Sequence, residues 1–155
     1  MWKRILLFMI LLFLAACSSQ SLSFEDLKEA YPDTFAQPVE SLSEEKQEKI
    51  GLPDDLSFEV TNVQVESADQ NVKVHYQSES EEELIVTTLY EPENILQDSE
   101  LQIPLNSGAV AGVQEEEDYV FVEWYETDLD VIYQLQYYGP PEERSEKALE
   151  AANAI

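Results

Sequence analysis

The stretch YVFVEWYETDLDVIYQLQYY, Tyr119 to Tyr138, decides the fold. Two runs rich in aromatic and β-branched residues, YVFVEWYE and DVIYQLQYY, flank Thr127-Asp128-Leu129, a gap of hairpin length. Successive side chains of a strand point to opposite faces. In the first run Tyr119, Phe121 and Tyr125 therefore share one side, while Val120, Val122 and Trp124 share the other. In the second, Tyr133 and Tyr137 align with Val131 and Leu135. The alternation predicts a pair of long antiparallel strands.

Working outward, the same period recurs. NVKVHYQ sets Val72, Val74 and Tyr76 against Lys73, His75 and Gln77, a half-buried strand. ELIVTTLYE is apolar or threonine on both faces up to Tyr90, which predicts a central strand. FEVTNVQVE loses its phase between Val60 and Val63, as a bulge would make it do. Weaker strands are expected at Leu101 to Leu105 and Val110 to Gln114, with Asn106-Ser107-Gly108 as their turn.

At the two ends the period changes to that of a helix. After Gly139-Pro140-Pro141, Ala148, Leu149, Ala152 and Ile155 make one apolar stripe, with Pro141 suited to an early helical position. Upstream, Ser23 and Asp26 form an N-cap pattern before Leu27 and Tyr31, and Pro32 is a stop. A second short helix is expected in SLSEEKQEKIG, with Ser41 and Glu44 at capping-box spacing. Its face carries little beyond Leu42 and Ile50, so it is expected to lie loosely on the surface. The order predicts an α+β fold: a curved antiparallel meander sheet of about six or seven strands, short N-terminal helices before it and a C-terminal helix packed on one face. The helical segment is assigned to residues 24–50 and the sheet-plus-helix domain to 51–155.

The chain opens with Lys3 and Arg4, followed by Ile5 to Ala16 without a charge. As a helix that run would reach about 18 Å. A bilayer core of about 30 Å needs more, so residues 1–16 are read as a removable export signal. Leu14-Ala15-Ala16-Cys17 resembles the lipobox of bacterial lipoproteins. The resemblance implies that the Cys17 thiol accepts a diacylglyceryl group, that cleavage falls just before it, and that residues 17–23 form a polar tether. Two acyl chains supply the double anchor that one cannot. The expected location is the outer face of the cell membrane, with Cys17 as lipid attachment site and the membrane as partner.

Composition narrows the partners. Acidic residues number 33 against 8 basic, a formal charge of −25, and losing Lys3 and Arg4 makes the balance more negative still. Such a surface repels phosphates over a Debye length of about 8 Å, so nucleic-acid binding is excluded. The acids are spread along the chain and are read as a solvated exterior. With Cys17 the single cysteine, no internal disulfide can form.

Few residues suggest chemistry. His75, the one histidine, should point away from the Val72, Val74, Tyr76 face and cannot make a triad or a zinc site alone. Glu79 to Glu83 and Glu115 to Asp118 lack the spacing of a calcium loop and are read as solvated turns. There is no glycine-rich phosphate loop and no Gly-x-Ser-x-Gly elbow. No cofactor, no metal and no enzymatic activity are expected. The aromatic side chains are mostly core, but a side left open would be a binding patch, with Tyr119, Phe121, Tyr125 and Tyr133 as candidate ligand-binding residues.

Several features resemble a family of Gram-positive cell-surface lipoproteins known as domain of unknown function 4367. They are the entry LPDDLSFEV, the strand NVKVHY, the hairpin quoted above and the closing SEKALEAANAI, covering residues 51–155. The chain departs from that pattern at Ala154, where the family often has serine. The resemblance implies no catalytic residues. The expectation is a lipid-anchored, non-enzymatic binding or sensing module; the alternative is a carrier holding a hydrophobic ligand between sheet and helix, and a hydrolase stands behind both.

Overall fold

The computed structural model describes residues 22–92, 99 and 101–155. The export signal, the lipobox and Cys17 lie outside the described residues.

The quoted hairpin forms as β6 (Tyr119–Glu126) and β7 (Val131–Tyr138). Val120 stands opposite Tyr137, Val122 opposite Leu135 and Trp124 opposite Tyr133, so the side chains of one face mesh across the pair. Asp130 closes the turn at φ +53, a left-handed position that aspartate tolerates. Its carboxylate accepts the Tyr125 hydroxyl at 2.8 Å.

The described strands build one seven-stranded antiparallel sheet. β1 (Asn62–Ser67), β2 (Asn71–Gln77) and β3 (Glu83–Tyr90) form one hairpin-linked run. β4 (Leu101–Pro104), β5 (Val110–Glu115), β6 and β7 form another. The runs join where β7 pairs with β3, giving the order β1-β2-β3-β7-β6-β5-β4 and leaving β1 and β4 as open edges. Pro104 cannot donate to a further strand, which blunts the β4 edge. The central position expected for ELIVTTLYE is the one β3 occupies.

Four helical pieces lie on the same face as Val63, Val74, Val86, Leu135 and Val122. They are α1 (Phe24–Ala30), a π-helical turn (Pro32–Ala36) running into α2 (Gln37–Glu40), α3 (Glu44–Glu48) and α4 (Arg144–Asn153). The turn and α2 pack on β1, and α4 packs on β6 and β7. Alanines at 148, 151 and 152 are the buried residues of α4, and their small side chains let its backbone approach the sheet. Each fully buried leucine or valine of this core contributes roughly 1.5–3 kcal/mol.

Local expectations are adjusted at several points. The phase change between Val60 and Val63 is not a bulge: β1 begins at Asn62 and pairs residue for residue with β2, while buried Phe58 and Val60 belong to the irregular segment before it. Ser43, not Ser41, precedes α3, and Ser41 donates its hydroxyl to the Pro38 carbonyl instead. α4 starts at Arg144, because Pro140 to Glu143 form a turn first. Leu22 is only 2% exposed, so apolar packing begins inside the stretch assigned to the tether. Ser23 caps α1 as expected, accepting from the Asp26 N–H at 3.3 Å.

The expected loose second helix is instead pinned to the sheet. Tyr90 donates its hydroxyl to the Lys46 carbonyl at 2.9 Å, and Tyr133 donates to the Lys49 carbonyl at 2.9 Å. The Gly51 N–H donates to the buried Thr88 hydroxyl, also at 2.9 Å. A Cβ on Gly51 would sit 2.8 Å from the Tyr133 ring, so only glycine allows this approach.

Tyr76 is a counterexample to this economy. Its hydroxyl is fully buried with no hydrogen-bond partner among the described residues, and burial pushes its pKa far above the ordinary value. Tyr76→Phe is expected to raise stability by about 1 kcal/mol, because an unsatisfied buried hydroxyl costs more than it returns. Urea unfolding checks this, and a lower midpoint in the variant would contradict it.

Candidate functional site

The sheet's second face carries no helix among the described elements, and Tyr119, Phe121 and Tyr125 stand on it as expected. They do not form a continuous apolar groove. Across β6 and β7 they alternate with polar residues: Phe121 lies opposite Gln136, and Glu123 lies between Phe121 and Tyr125, opposite Gln134. Gln134 donates to the buried Glu123 carboxylate at 2.6 Å. Tyr119 rests on Tyr138 with ring centroids 5.2 Å apart, and Tyr125 is held by Asp130. The hollow beside Phe121 encloses only about 50 Å³, below the several hundred of a ligand site.

Tyr133 does not join those three. It points to the helix-covered face and is buried against Gly51 and Trp124. Its hydroxyl is committed to the Lys49 carbonyl. Burial, aided by the nearby Glu126 charge, pushes its pKa up to about 12.

Tyr133 nonetheless borders a larger cavity than the one beside Phe121; a second hollow of the same size, about 320 Å³, lies beside Leu89, Tyr90 and Ile132 at the end of β3 and the start of β7. A cleft of about 320 Å³ opens between the turn end of the β6–β7 hairpin and the C-terminal end of α4. Trp124, Tyr133, Leu129, Ala152 and Ile155 supply its apolar wall. Glu126 and Asp128 stand on the rim, with Ser107 and Asn153 completing the lining. The hairpin positions the first group: Trp124 and Tyr133 are cross-strand neighbours with ring centroids 5.3 Å apart and planes at 51°. The helix end is fixed by two hydrogen bonds. The Asp54 N–H donates to the Ala154 carbonyl at 3.0 Å, and the Asn106 N–H donates to the Asn153 side-chain oxygen at 2.7 Å. An apolar wall with a few polar groups at its mouth, at the small end of the usual size range, is the form of a small-ligand site.

The cleft residues other than Tyr133 were not singled out from the sequence. The sequence placed Trp124 and Tyr133 in the hairpin but not opposite each other, and Ala152 and Ile155 belonged to the helical stripe. Where the helix stops relative to the hairpin turn carried no sequence signal.

Two further ionisable side chains, His75 and Glu82, lie away from the cleft. His75 is half-buried on the open face, its Nδ1 3.4 Å from Glu83, while its buried Nε2 has no partner among the described residues. Glu82 departs from the expected solvated turn. It accepts the Tyr137 hydroxyl at 2.6 Å and the Lys147 ammonium at 2.7 Å, tying the β2–β3 turn to α4. Among the described residues no group of three His, Cys, Asp or Glu side chains could hold a metal ion, and no helix is long and apolar enough to cross a membrane.

Comparison with protein-family models, with curated proteins and with solved structures finds no match to this chain.

The Glu82 node gives stability a pH dependence. Burial alone would raise the Glu82 carboxyl, but hydrogen bonds from Lys147, Tyr137 and Ser80 and the Lys147 charge outweigh it and hold it below the usual carboxylate range. Hydrogen bonds to Glu143 and Glu82 hold Lys147 above its ordinary value. The Glu82 contribution is therefore present above the unfolded carboxyl pKa and lost as pH falls through the lowered one. Lys147→Met is expected to cost about 1–2 kcal/mol at neutral pH, reduced from a fully buried pair by partial exposure. It should also flatten the loss of stability on acidification below about pH 4.5. Denaturation midpoints across pH check both; a variant that tracks the wild type throughout would contradict them.

Proposed function

We propose that this chain is a lipid-anchored, extracytoplasmic binding module that performs no covalent chemistry and holds a small ligand between sheet and C-terminal helix. The anchor rests on Leu14-Ala15-Ala16-Cys17 after an uncharged run, and on the polar Ser18-Ser19-Gln20-Ser21 that follows. The Gram-positive cell-surface setting rests on the resemblance read from LPDDLSFEV, NVKVHY and SEKALEAANAI alone, as no family model matches the chain.

The binding half rests on one observation, the 320 Å³ cleft walled by Trp124, Tyr133, Leu129, Ala152 and Ile155. Of the sequence's two binding readings, contact through an open aromatic face and a carrier between sheet and helix, this cleft favours the second. The open face distributes its aromatic residues among Glu123, Gln134 and Gln136, whereas the cleft gathers apolar wall in one place. Absence of chemistry is the simpler reading of the cleft. Its hydroxyls are both engaged, Ser107 accepting the Ala109 N–H at 3.4 Å and Tyr133 donating to the Lys49 carbonyl at 2.9 Å, and the lone histidine is on the opposite face.

Two variants test the two halves. Cys17→Ala should move the protein from the membrane fraction to the soluble one, and persistence at the membrane with normal signal processing would end the anchor. Native mass spectrometry of gently extracted protein should show a small bound species that is lost in Ile155→Trp, which fills the cleft. A ligand-free wild type, or a species indifferent to Ile155→Trp, would end the carrier.

A further inference from the structure

We propose that the helix-free face of the sheet is a second binding surface, built from Gln64, Gln136, Tyr119, Phe121 and Tyr138, for a neutral glycan with vicinal hydroxyls. It lies on the opposite face from the cleft and does not depend on it.

Register lays the surface out. One row across the strands runs Gln64, His75, Ile85, Gln136 and Phe121, and the next runs Asn62, Gln77, Glu83, Tyr138 and Tyr119. Neighbouring strands stand about 4.8 Å apart, which puts Gln64 and Gln136 roughly 14 Å from each other. Gln136 has a ring on three sides: Phe121 opposite it, Tyr138 two residues on, and Tyr119 diagonally across. Gln64 is exposed and the other four are half-buried, so each keeps a part in solvent.

Unspent hydrogen bonds are the first argument. Asn62 donates to Gln77 at 2.8 Å and Gln77 to Glu83 at 3.3 Å, which occupies those amides. The side-chain amides of Gln64 and Gln136 have no partner among the described residues. A primary amide carries a donor and an acceptor side by side, so it can meet two adjacent hydroxyls at once. The rings supply apolar area for the C–H face of a sugar, and the two tyrosines add polar tips.

Charge is the second. The charged residues of this face are Glu66, Lys73, Glu83 and Glu123, a formal −2 of the protein's −25. Glu83 and Glu123 accept from Gln77 and Gln134, and Lys73 stands opposite Glu66. A polyanion meets repulsion from the protein as a whole, and a polycation finds its partners on the acidic turns instead. An apolar ligand would strip water from the unpaired amides without return. An uncharged polyol meets none of these costs.

The third rests on the lipid anchor. Leu22, the first described residue, is buried in the core on the helix-covered side. The five residues from Cys17 to Leu22 span at most about 18 Å. A tether that short draws the helical layer toward the bilayer and turns the open face outward, where an extended polymer can reach it.

The probes are cellohexaose, maltohexaose and the glucosamine hexamer, which carries an ammonium in place of each 2-hydroxyl of cellohexaose. Calorimetric titration of the full chain, extracted in mild detergent, makes the result independent of the anchor. One of the two neutral sugars should bind, equally at low and high salt. Gln136→Ala should weaken it about tenfold, and Ile155→Trp, which fills the cleft, should leave it unchanged. If Gln136→Ala unfolds more readily, Gln64→Ala, at an exposed position, carries the comparison. Tighter binding of the glucosamine hexamer, abolished by salt, would assign binding to the acidic exterior and overturn the inference. A neutral sugar displaced by Ile155→Trp but not by the glutamine variants would sit in the cleft, ending this surface and sparing the carrier. Binding of neither neutral sugar would also overturn the inference, leaving cleft and anchor untouched.

Discussion

Three neighbouring side chains of the sheet, Thr88, Tyr90 and Tyr133, hold the backbone of residues 46–51 by hydrogen bonds of 2.9 Å each. The rest of the arrangement depends on this clamp. The end of a five-residue helix leaves carbonyls without partners, and burying them unsatisfied would cost about 1–3 kcal/mol apiece. The Tyr133 hydroxyl supplies a donor to the Lys49 carbonyl, and the Tyr90 hydroxyl adds one to the Lys46 carbonyl, which the Lys49 N–H reaches at only 3.3 Å. Because Thr88 stands opposite Tyr133 in the β3–β7 pair, the anchor points lie where the two strand runs join. The N-terminal helices are thus fastened across that seam.

The clamp also explains why a chain so acidic can keep a continuous core. The acids are kept off the helix-covered face, Glu123 being buried on the other one, while that face reads Val63, Val74, Val86, Leu135 and Val122 across five strands. Over its middle lies the segment entering through Gly51, where the missing Cβ lets the backbone rest against the Tyr133 ring. Further along, Phe58 meets Tyr137 with ring centroids 6.1 Å apart. Helices therefore need to cover only the two flanks of the sheet, and short ones suffice.

Sequence periodicity found most of the strands because one face lies in the core and one in water, which imposes alternation, while β3 stood out by its unbroken apolar run. YVFVEWYE and DVIYQLQYY were legible for that reason, as were the Ser23 cap and the glycine turn at Gly108, which sits at φ +93. The pairing of β3 with β7 was not legible, since any two strands apolar on both sides satisfy the same pattern. The pinning of α3 was invisible for a related reason: its attachment runs through backbone groups and tyrosine hydroxyls, which leave no apolar stripe on the helix. The placement of Tyr133 shows the same blindness. Its alternation with Leu135 put it correctly in the strand, but facing was assigned by aromatic character, and the ring turned out to be core on one side and cleft wall on the other.

That double role links the clamp to the site. The Tyr133 hydroxyl is held by Lys49 and its ring is backed by Gly51, so the ring cannot swing to fill the space beside Trp124. On the far side, α4 is drawn toward the other end of the sheet by Lys147, whose partner Glu82 sits in the β2–β3 turn. The helix C-terminus is fixed by Asp54 and Asn106 through Ala154 and Asn153. Neither wall is then free to close on the other. An aromatic cleft in a protein without such constraints would collapse to regain the dispersion contacts that a void forfeits. Here the hydrogen bonds that order the N-terminal helices and the helix end also hold the cleft open.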